Sequence, residues 1–281
     1  MKIISVQDIS CFGQCSLTVA LPILSSRGIE TAILPSGILS NHTGGFSGFT
    51  YHDLTEEMPK IAAQWEREGL RFDAIYTGYI GDARQFDIIR KLKKLLLPGG
   101  KLIVDPAMAD HGRLYAALNA DIVDGMRSLV READIILPNL TEADLLLGRE
   151  YKELTASEEA EDLLAALAEL GPELPILTGV PYGPDRLGAA AYLKSSRSFV
   201  TAAAERMPRS FHGTGDIFSS VVIAALLNGT ALEAALTEGC RFVVRCIEKT
   251  LPDETHRYGV KFEEVLAEER RTSAPQAASS I

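Results

Sequence analysis

The chain has 281 residues, a formal net charge of −10 and 46% hydrophobic residues. That balance is ordinary for a globular protein with a sizeable core, and the acidity argues against nucleic acid or an anionic membrane as main partner. A phosphate ligand stays open, because backbone amides and a metal hold phosphate without surface basicity.

Taken in chain order, Met1-Lys2-Ile3-Ile4-Ser5-Val6-Gln7 reads as a strand rather than a signal peptide. Strand patterns are predicted at Lys2–Gln7, Thr31–Leu34, Asp73–Thr77, Lys101–Asp105, Asp134–Leu137, Pro175–Thr178 and Gly188–Leu193. Helical patterns lie near Ser16–Ser26, Leu54–Glu68, Ala83–Leu97, Ala120–Glu132, Glu142–Leu147, Ser157–Leu170, Ile217–Asn228, Ala231–Lys249 and Lys261–Arg270. Short apolar strands separated by helices predict βαβ units, hence an α/β fold with a parallel sheet covered on both faces. No composition break or internal repeat interrupts this alternation, so one domain over 1–270 is expected. The Ala-, Ser- and Pro-rich tail, 271–281, is expected to be disordered. No apolar run reaches the ~18 residues of a membrane span, and a cytoplasmic protein is expected. The four cysteines, Cys11, Cys15, Cys240 and Cys246, form no CxxC or regular framework and read as reduced thiols.

The polar residues fall at strand ends. Asp8 follows the first strand, Asp105 closes Leu-Ile-Val, Asn139 follows Ile-Ile-Leu-Pro with Glu142 three further on, and Thr178 ends Pro-Ile-Leu. Ligands of open parallel sheets bind outside the carboxyl ends of the strands, so these residues converge on one rim. Singly, Asp105 and Glu142 fit helix caps, and Asn139 to Glu142 has capping-box spacing. Together, Asp105, Asn139 and Glu142, with Asp110 nearby, supply the hard oxygen ligands that Mg²⁺ prefers, directly or through water.

The stretch that organises the rest is Phe211-His212-Gly213-Thr214-Gly215-Asp216-Ile217-Phe218. Two glycines one residue apart allow a tight bend, and the apolar run after Asp216 predicts a buried helix whose first amides attract anions. A carboxylate beside an anion site makes sense when a metal neutralises the anion and the carboxylate takes a proton, which is the logic of phosphoryl transfer to a hydroxyl. No GxxxxGK[ST] is present; Leu97-Pro98-Gly99-Gly100-Lys101 lacks its spacing and reads as a turn. The segment Ser40–Thr50, with three glycines, Thr43, Phe46 and Phe49, reads as a lid. The five histidines have no HxxxH spacing, and no metal is assigned to them.

Gly213-Thr214-Gly215-Asp216 resembles the signature of the ribokinase-like superfamily. Ser40-Asn41-His42-Thr43, Val104 to Asp110 and Leu137 to Ala143 narrow the likeness to vitamin B6 kinases and the related hydroxymethylpyrimidine kinases. The match runs from residue 1 to about 270 in the expected order. The resemblance implies a three-layer α/β/α sandwich and ATP-dependent phosphorylation of a 5′-hydroxymethyl group of pyridoxal, pyridoxamine or pyridoxine. It implies Asp216 as the base, and the Gly213, Thr214 and Gly215 amides as the anion hole. Asp105, Asn139 and Glu142 would organise Mg²⁺ and the ATP phosphates, Thr178 would touch ATP, and Asp8, Thr43 and Tyr79 would contact the substrate. Many members also use a monovalent cation (K⁺ or Na⁺) and form dimers. Two departures stand out. Asp8 replaces a common Ser and offers a partner to a pyridine nitrogen or an aminomethyl group. Ala109 replaces a Gly and loses access to positive φ, which leaves the placement of Asp110 open. Hydroxymethylpyrimidine kinase is the alternative; a non-catalytic B6-binding protein and a sugar kinase are more remote.

Overall fold

The computed structural model describes residues 1–116 and 118–273. Its strands are β1 Lys2–Ser10, β2 Glu30–Leu39, β3 Tyr51–Asp53, β4 Phe72–Thr77, β5 Leu96–Val104, β6 Ala109–Asp110, β7 Arg113–Leu114, β8 Ile135–Ile136, β9 Leu174–Pro181, β10 Arg186–Leu193 and β11 Ser198–Glu205. Its helices are α1 Leu17–Ser26, α2 Met58–Arg67, α3 Arg84–Leu92, α4 Ala120–Val130, α5 Leu140–Leu147, α6 Glu159–Leu170, α7 Thr214–Leu227, α8 Leu232–Thr250 and α9 Phe262–Ser273. The main sheet runs β11-β10-β9-β8-β5-β4-β1-β2-β3. From β9 to β2 every pairing is parallel, and β3, β10 and β11 add antiparallel edges.

Alternation along the strands explains the layers. Ile4, Val6, Ile75, Leu102 and Val104 pack on α2 to α6, whereas Ile3, Ala74, Tyr76 and Ile103 face α1, α7 and α8. Strands buried on both faces need apolar residues at every position, which is why they read as unbroken apolar runs. Helix α7 is apolar nearly all round, with nine consecutive buried residues from Ile217 to Ala225. A helix of that composition has to lie inside, and burying Ile223 alone contributes roughly 1.5–3 kcal/mol. That packing holds the start of α7 at the rim. Among the described residues no helix is long and apolar enough to cross a membrane.

Several boundaries differ from the sequence reading. The antiparallel edges β3 and β11 and the β6–β7 hairpin lie outside the sequence pattern, because a βαβ alternation predicts parallel strands only. The helix predicted over Ala83–Leu97 stops at Leu92; a 3₁₀ turn, Lys93–Leu95, follows, and Leu96 already pairs with Phe72. The next pair is Ala74 with Lys101, so Leu97–Gly100 bulges out of β5, with Gly99 at φ 81°. The Leu97–Lys101 turn predicted from sequence therefore sits inside a strand, as this bulge. Helix α9 runs through Ser273, so the predicted tail starts too early, and residues 274–281 lie outside the described residues. Cys11 and Cys15 lie in the bend before α1, and all four cysteines are free thiols.

Candidate functional site

Strand β1 pairs with β2 on one side and β4 on the other, so the chain changes direction of travel across the sheet there. A crevice opens at the carboxyl ends of strands flanking such a switch point. Asp8 lies at the irregular step of the β1–β2 ladder, between Gln7 paired with Pro35 and Ile9 paired with Ile38. It is 4% exposed, and Ser10 Oγ donates to its Oδ2 at 3.4 Å. Burial pushes the Asp8 carboxyl up, against hydrogen bonds from Ser16, its own amide and Ser10. Tyr79, in the turn after β4, lies close enough that burial and then the Asp8 charge push its phenol up to about 12.

The start of α7 forms the adjoining wall. Gly213 caps the helix at φ 78°, where a Cβ would stand 1.9 Å from the Gln14 carbonyl oxygen, so only glycine fits. No side chain caps this end. A Cβ at Gly215 would meet nothing within 4 Å, so the first turn faces open space. Thr214 turns its hydroxyl back to the Phe211 carbonyl at 3.1 Å. Such an end attracts anions through its free amides and the helix dipole.

Asp216 is held away from its own helix. Its Oδ2 accepts from the Ser16 amide at 3.0 Å, and Ser16 stands at φ 49°, a strained conformation for a residue with a Cβ. Burial pushes Asp216 up to about 6; the Ser16 amide opposes this and the Asp8 charge adds to it. Asp105, 7% exposed after β5, is raised by burial and then by the Asp216 charge, with Ser219 opposing. Glu142 is driven well up by burial and then by the Asp105 charge. Asp8, Asp216, Asp105 and Glu142 therefore form a row of mutually repelling acids along the rim.

The structure realises the capping box that the Asn139–Glu142 spacing predicts. Asn139 Oδ1 accepts from the Glu142 amide at 3.0 Å, and Glu142 Oε2 accepts from the Asn139 amide at 2.8 Å. Glu142 Oε1 also accepts from the Met108 amide at 3.1 Å, and Asn139 Nδ2 donates to the Ala109 carbonyl at 2.8 Å. These two residues thus fasten α5 to the segment after Asp105. Thr178 joins them from β9, its amide donating to the Pro138 carbonyl at 3.0 Å. Among the described residues, no three His, Cys, Asp or Glu side chains are placed to hold a metal by themselves.

Ala109 lies in β6 with negative φ, so the missing glycine costs nothing there. The positive φ falls instead on His111 (48°) and Gly112 (74°), which close the β6–β7 hairpin. Asp110 is exposed and accepts from the His111 amide at 2.8 Å. Thr43 is exposed on the Ser40–Thr50 segment. That segment returns to the rim at Gly44, where a Cβ would stand 2.6 Å from His212 Nε2, and the His42 and His212 rings lie 5.2 Å apart. Phe46 packs edge-on against Phe12 at 5.9 Å, whereas Phe49 is exposed.

Two residues of the rim escaped sequence reasoning. Ser16 acts through its backbone amide, which no residue type announces. Tyr115, in the loop after β7, donates its amide to the Met108 carbonyl at 2.9 Å, and burial and then the charges of Glu142, Asp216, Asp110 and Asp105 push its phenol up; a lone Tyr in a loop carries no such signal. A cavity of about 560 Å³ on α8, lined by Glu233, Thr237, Arg241 and Arg245, shares no residue with the rim.

The phosphomethylpyrimidine kinase family matches residues 34–260. The chain is 27% identical over 261 residues to the pyridoxine/pyridoxal/pyridoxamine kinase of Bordetella avium, covering 88% of this chain and 85% of that protein. A crystal structure from Bacteroides thetaiotaomicron, provisionally named a phosphomethylpyrimidine kinase and crystallised with pyridoxal, superposes with a TM-score of 0.91. It is 39% identical and covers 99% of this chain and 98% of its own. The pyridoxal kinase of Lactobacillus plantarum superposes with a TM-score of 0.87 at 30% identity, covering 96% of this chain and 97% of its own.

Proposed function

We propose, from the premise that this chain belongs to the phosphomethylpyrimidine kinase family, that it is a vitamin B6 kinase. It phosphorylates the 5′-hydroxymethyl group of pyridoxal, pyridoxamine or pyridoxine at the expense of ATP. The observation that carries the site assignment is the pairing of an uncapped α7 start with an acid held off that helix by the Ser16 amide. Asp216 accepts the hydroxyl proton, and its raised acidity constant near 6 suits a base working around neutral pH. The amides of Gly213, Thr214 and Gly215 hold the transferring phosphoryl group. Asp8, Tyr79 and Thr43 contact the vitamer from the β1, β4 and lid sides, and Thr178 contacts ATP.

The row of raised carboxylates fits a bound cation. Asp105 is the group best placed to meet Mg²⁺. Asn139 and Glu142, whose oxygens are engaged with backbone amides, would reach it through water, as Mg²⁺ sites often allow. Such a metal would supply positive charge to offset the ATP phosphates, which would otherwise repel Asp216. A monovalent cation, a homodimer, a single domain over 1–270 and a cytoplasmic setting complete the reading.

A second reading is favoured by the description of the matched family, which names a phosphomethylpyrimidine substrate. A competition assay with pyridoxal, pyridoxamine, pyridoxine and hydroxymethylpyrimidine decides between them. ATP consumption driven by the vitamers is the expected result; turnover of the pyrimidine alone would replace the B6 assignment. Tight vitamer binding without ATP consumption would make the protein a binding module.

A further inference from the structure

We infer that Gln14 is a positioning residue that couples the Ser40–Thr50 segment to the start of α7, through the bend at 11–16 between β1 and α1. The coupling rests on the B6 kinase reading for the role of Asp216, and its contacts belong to the folded chain itself. Three segments far apart in sequence meet on this bend. The first is the Ser40–Thr50 segment, whose His42 amide donates to the Phe12 carbonyl at 2.8 Å. The second is the loop 251–261 between α8 and α9, and Gln14 holds it. The Gln14 amide donates to the Tyr258 carbonyl at 2.8 Å. Gln14 Nε2 donates to both carboxylate oxygens of Glu263 at 3.0 Å, which leaves Gln14 Oε1 to accept from His256 Nε2 at 2.8 Å. The third is α7, where the Gln14 carbonyl abuts Gly213 and the Ser16 amide holds Asp216. The Gln14 side chain bonds Glu263 and His256 rather than an acid of the rim, so Gln14 acts on the reaction through the backbone.

The first two segments also latch onto each other. Phe46 stacks on Tyr258 with ring centroids 6.3 Å apart, and Phe12 joins the two at 5.9 and 4.7 Å. The Arg257 guanidinium lies 5.5 Å from the centre of the Phe46 ring. At Gly45, with φ 82°, a Cβ would stand 2.3 Å from the Arg257 carbonyl oxygen, so the two backbones touch. Aromatic pairs contribute about 0.5–1.5 kcal/mol each beyond their burial, enough to bias a lid and too little to lock it. The bend that receives this latch is strained at Ser16, with φ 49°. Strain of that kind persists only where the surroundings over-determine it, and here Gln14 supplies the nearest fastening. Releasing Gln14 lets the bend relax and draws the Ser16 amide from Asp216. A shift of about 1 Å in such a group costs about 10²-fold in rate, so the coupling reads out in kcat.

The test is a double-mutant cycle in the full chain, joining Gln14→Ala with Phe46→Ala, read by steady-state kinetics with pyridoxal, pyridoxamine and pyridoxine at saturating ATP. Gln14→Ala should lower kcat at least fivefold with every vitamer, while ATP affinity by titration holds within about threefold. A smaller fall in kcat overturns the inference, whatever the change in Tm. In the double variant the loss in kcat/KM should be less than the product of the single losses by threefold or more, because a loosened bend no longer transmits the latch. Losses that multiply to within threefold, as independent sites give, overturn it. A rescue separates positioning from damage to the fold. Gln14→Glu sets a carboxylate against Glu263 and should lower kcat as Gln14→Ala does. Adding Glu263→Gln restores the pair with its ends exchanged, and kcat should return to within about threefold of wild type; no recovery counts against the role. A wild-type chain that consumes no ATP with any vitamer would instead sink the B6 reading and leave the coupling to amide exchange. Phe46→Ala should then raise exchange over residues 11–16 threefold or more, and a smaller rise overturns the coupling.

Discussion

Helices α5 and α7 begin at the same rim with an acid at the third helical position, and they use it in opposite ways. In α5 the first cap is Asn139, and Glu142 folds back onto the Asn139 amide, so the helix start is closed by its own side chains. In α7 the cap is Gly213, and Asp216 is drawn off by the Ser16 amide from the bend before α1, so the helix start stays open. A closed start is a fastening, because its donors are already satisfied. An open start with an acid beside it can hold an anion and take a proton at the same time. The difference between a structural acid and a chemical one therefore lies in who occupies the helix amides.

The largest expected effect comes from Asp216→Asn, which keeps an oxygen for the Ser16 amide and removes the base. Turnover should fall by roughly 10²–10⁴-fold, while ATP affinity, measured by titration, stays within a few-fold; undiminished turnover would end the proposed role. The same residue sets a pH limb. With a folded value near 6, the proton-accepting form is present above that pH, so kcat/KM should drop as pH falls through about 6. Stability runs the other way. A carboxyl raised above its ordinary 3.8 favours the fold most below that value, and the benefit is lost as pH rises through 6. Asp216→Asn should accordingly raise Tm at pH 8 and change it less at pH 5.

Closing the open start is the next test. Gly213→Ala places a Cβ 1.9 Å from the Gln14 carbonyl oxygen and forces a left-handed conformation that costs about 1–2 kcal/mol. The backbone must shift, and displacement of the amides should lower kcat about 10²-fold, with wild-type activity in this variant contradicting the anion-hole role. On the other helix, Glu142→Gln turns an NH₂ group toward backbone amides that now donate to carboxylate oxygens. One unsatisfied buried donor costs about 1–3 kcal/mol, so thermal melting should show Tm down by several degrees, with a smaller kinetic loss than Asp216→Asn. If kcat collapses while Tm holds, Glu142 is a chemical acid after all and the contrast fails. The smallest effect belongs to Ala109→Gly. Since Ala109 sits at negative φ, restoring glycine should cost ~0.5–1 kcal/mol by chemical denaturation and improve no kinetic constant.

Much of this protein is written in local pattern. The apolar strands, the amphipathic helices and the buried α7 follow from periodicities of two and 3.6, which depend only on neighbours in sequence. The gathering of Asp8, Asp105, Asn139 and Glu142 on one rim follows from the same pattern, because strand ends of a parallel sheet all point one way. The capping box was legible too, since its geometry spans three residues. The edge strands were not: Tyr51–Asp53 and Ser198–Glu205 owe their state to the strands they pair with. The role of Ser16 was equally hidden, because a backbone amide has no letter in the sequence and reaches Asp216 from 200 positions away. Chain order alone placed an acid at the third position of both helices. Only the folded chain decided that one would close its helix and the other would be held beside an open one, because that choice turns on a single amide delivered from a distant bend.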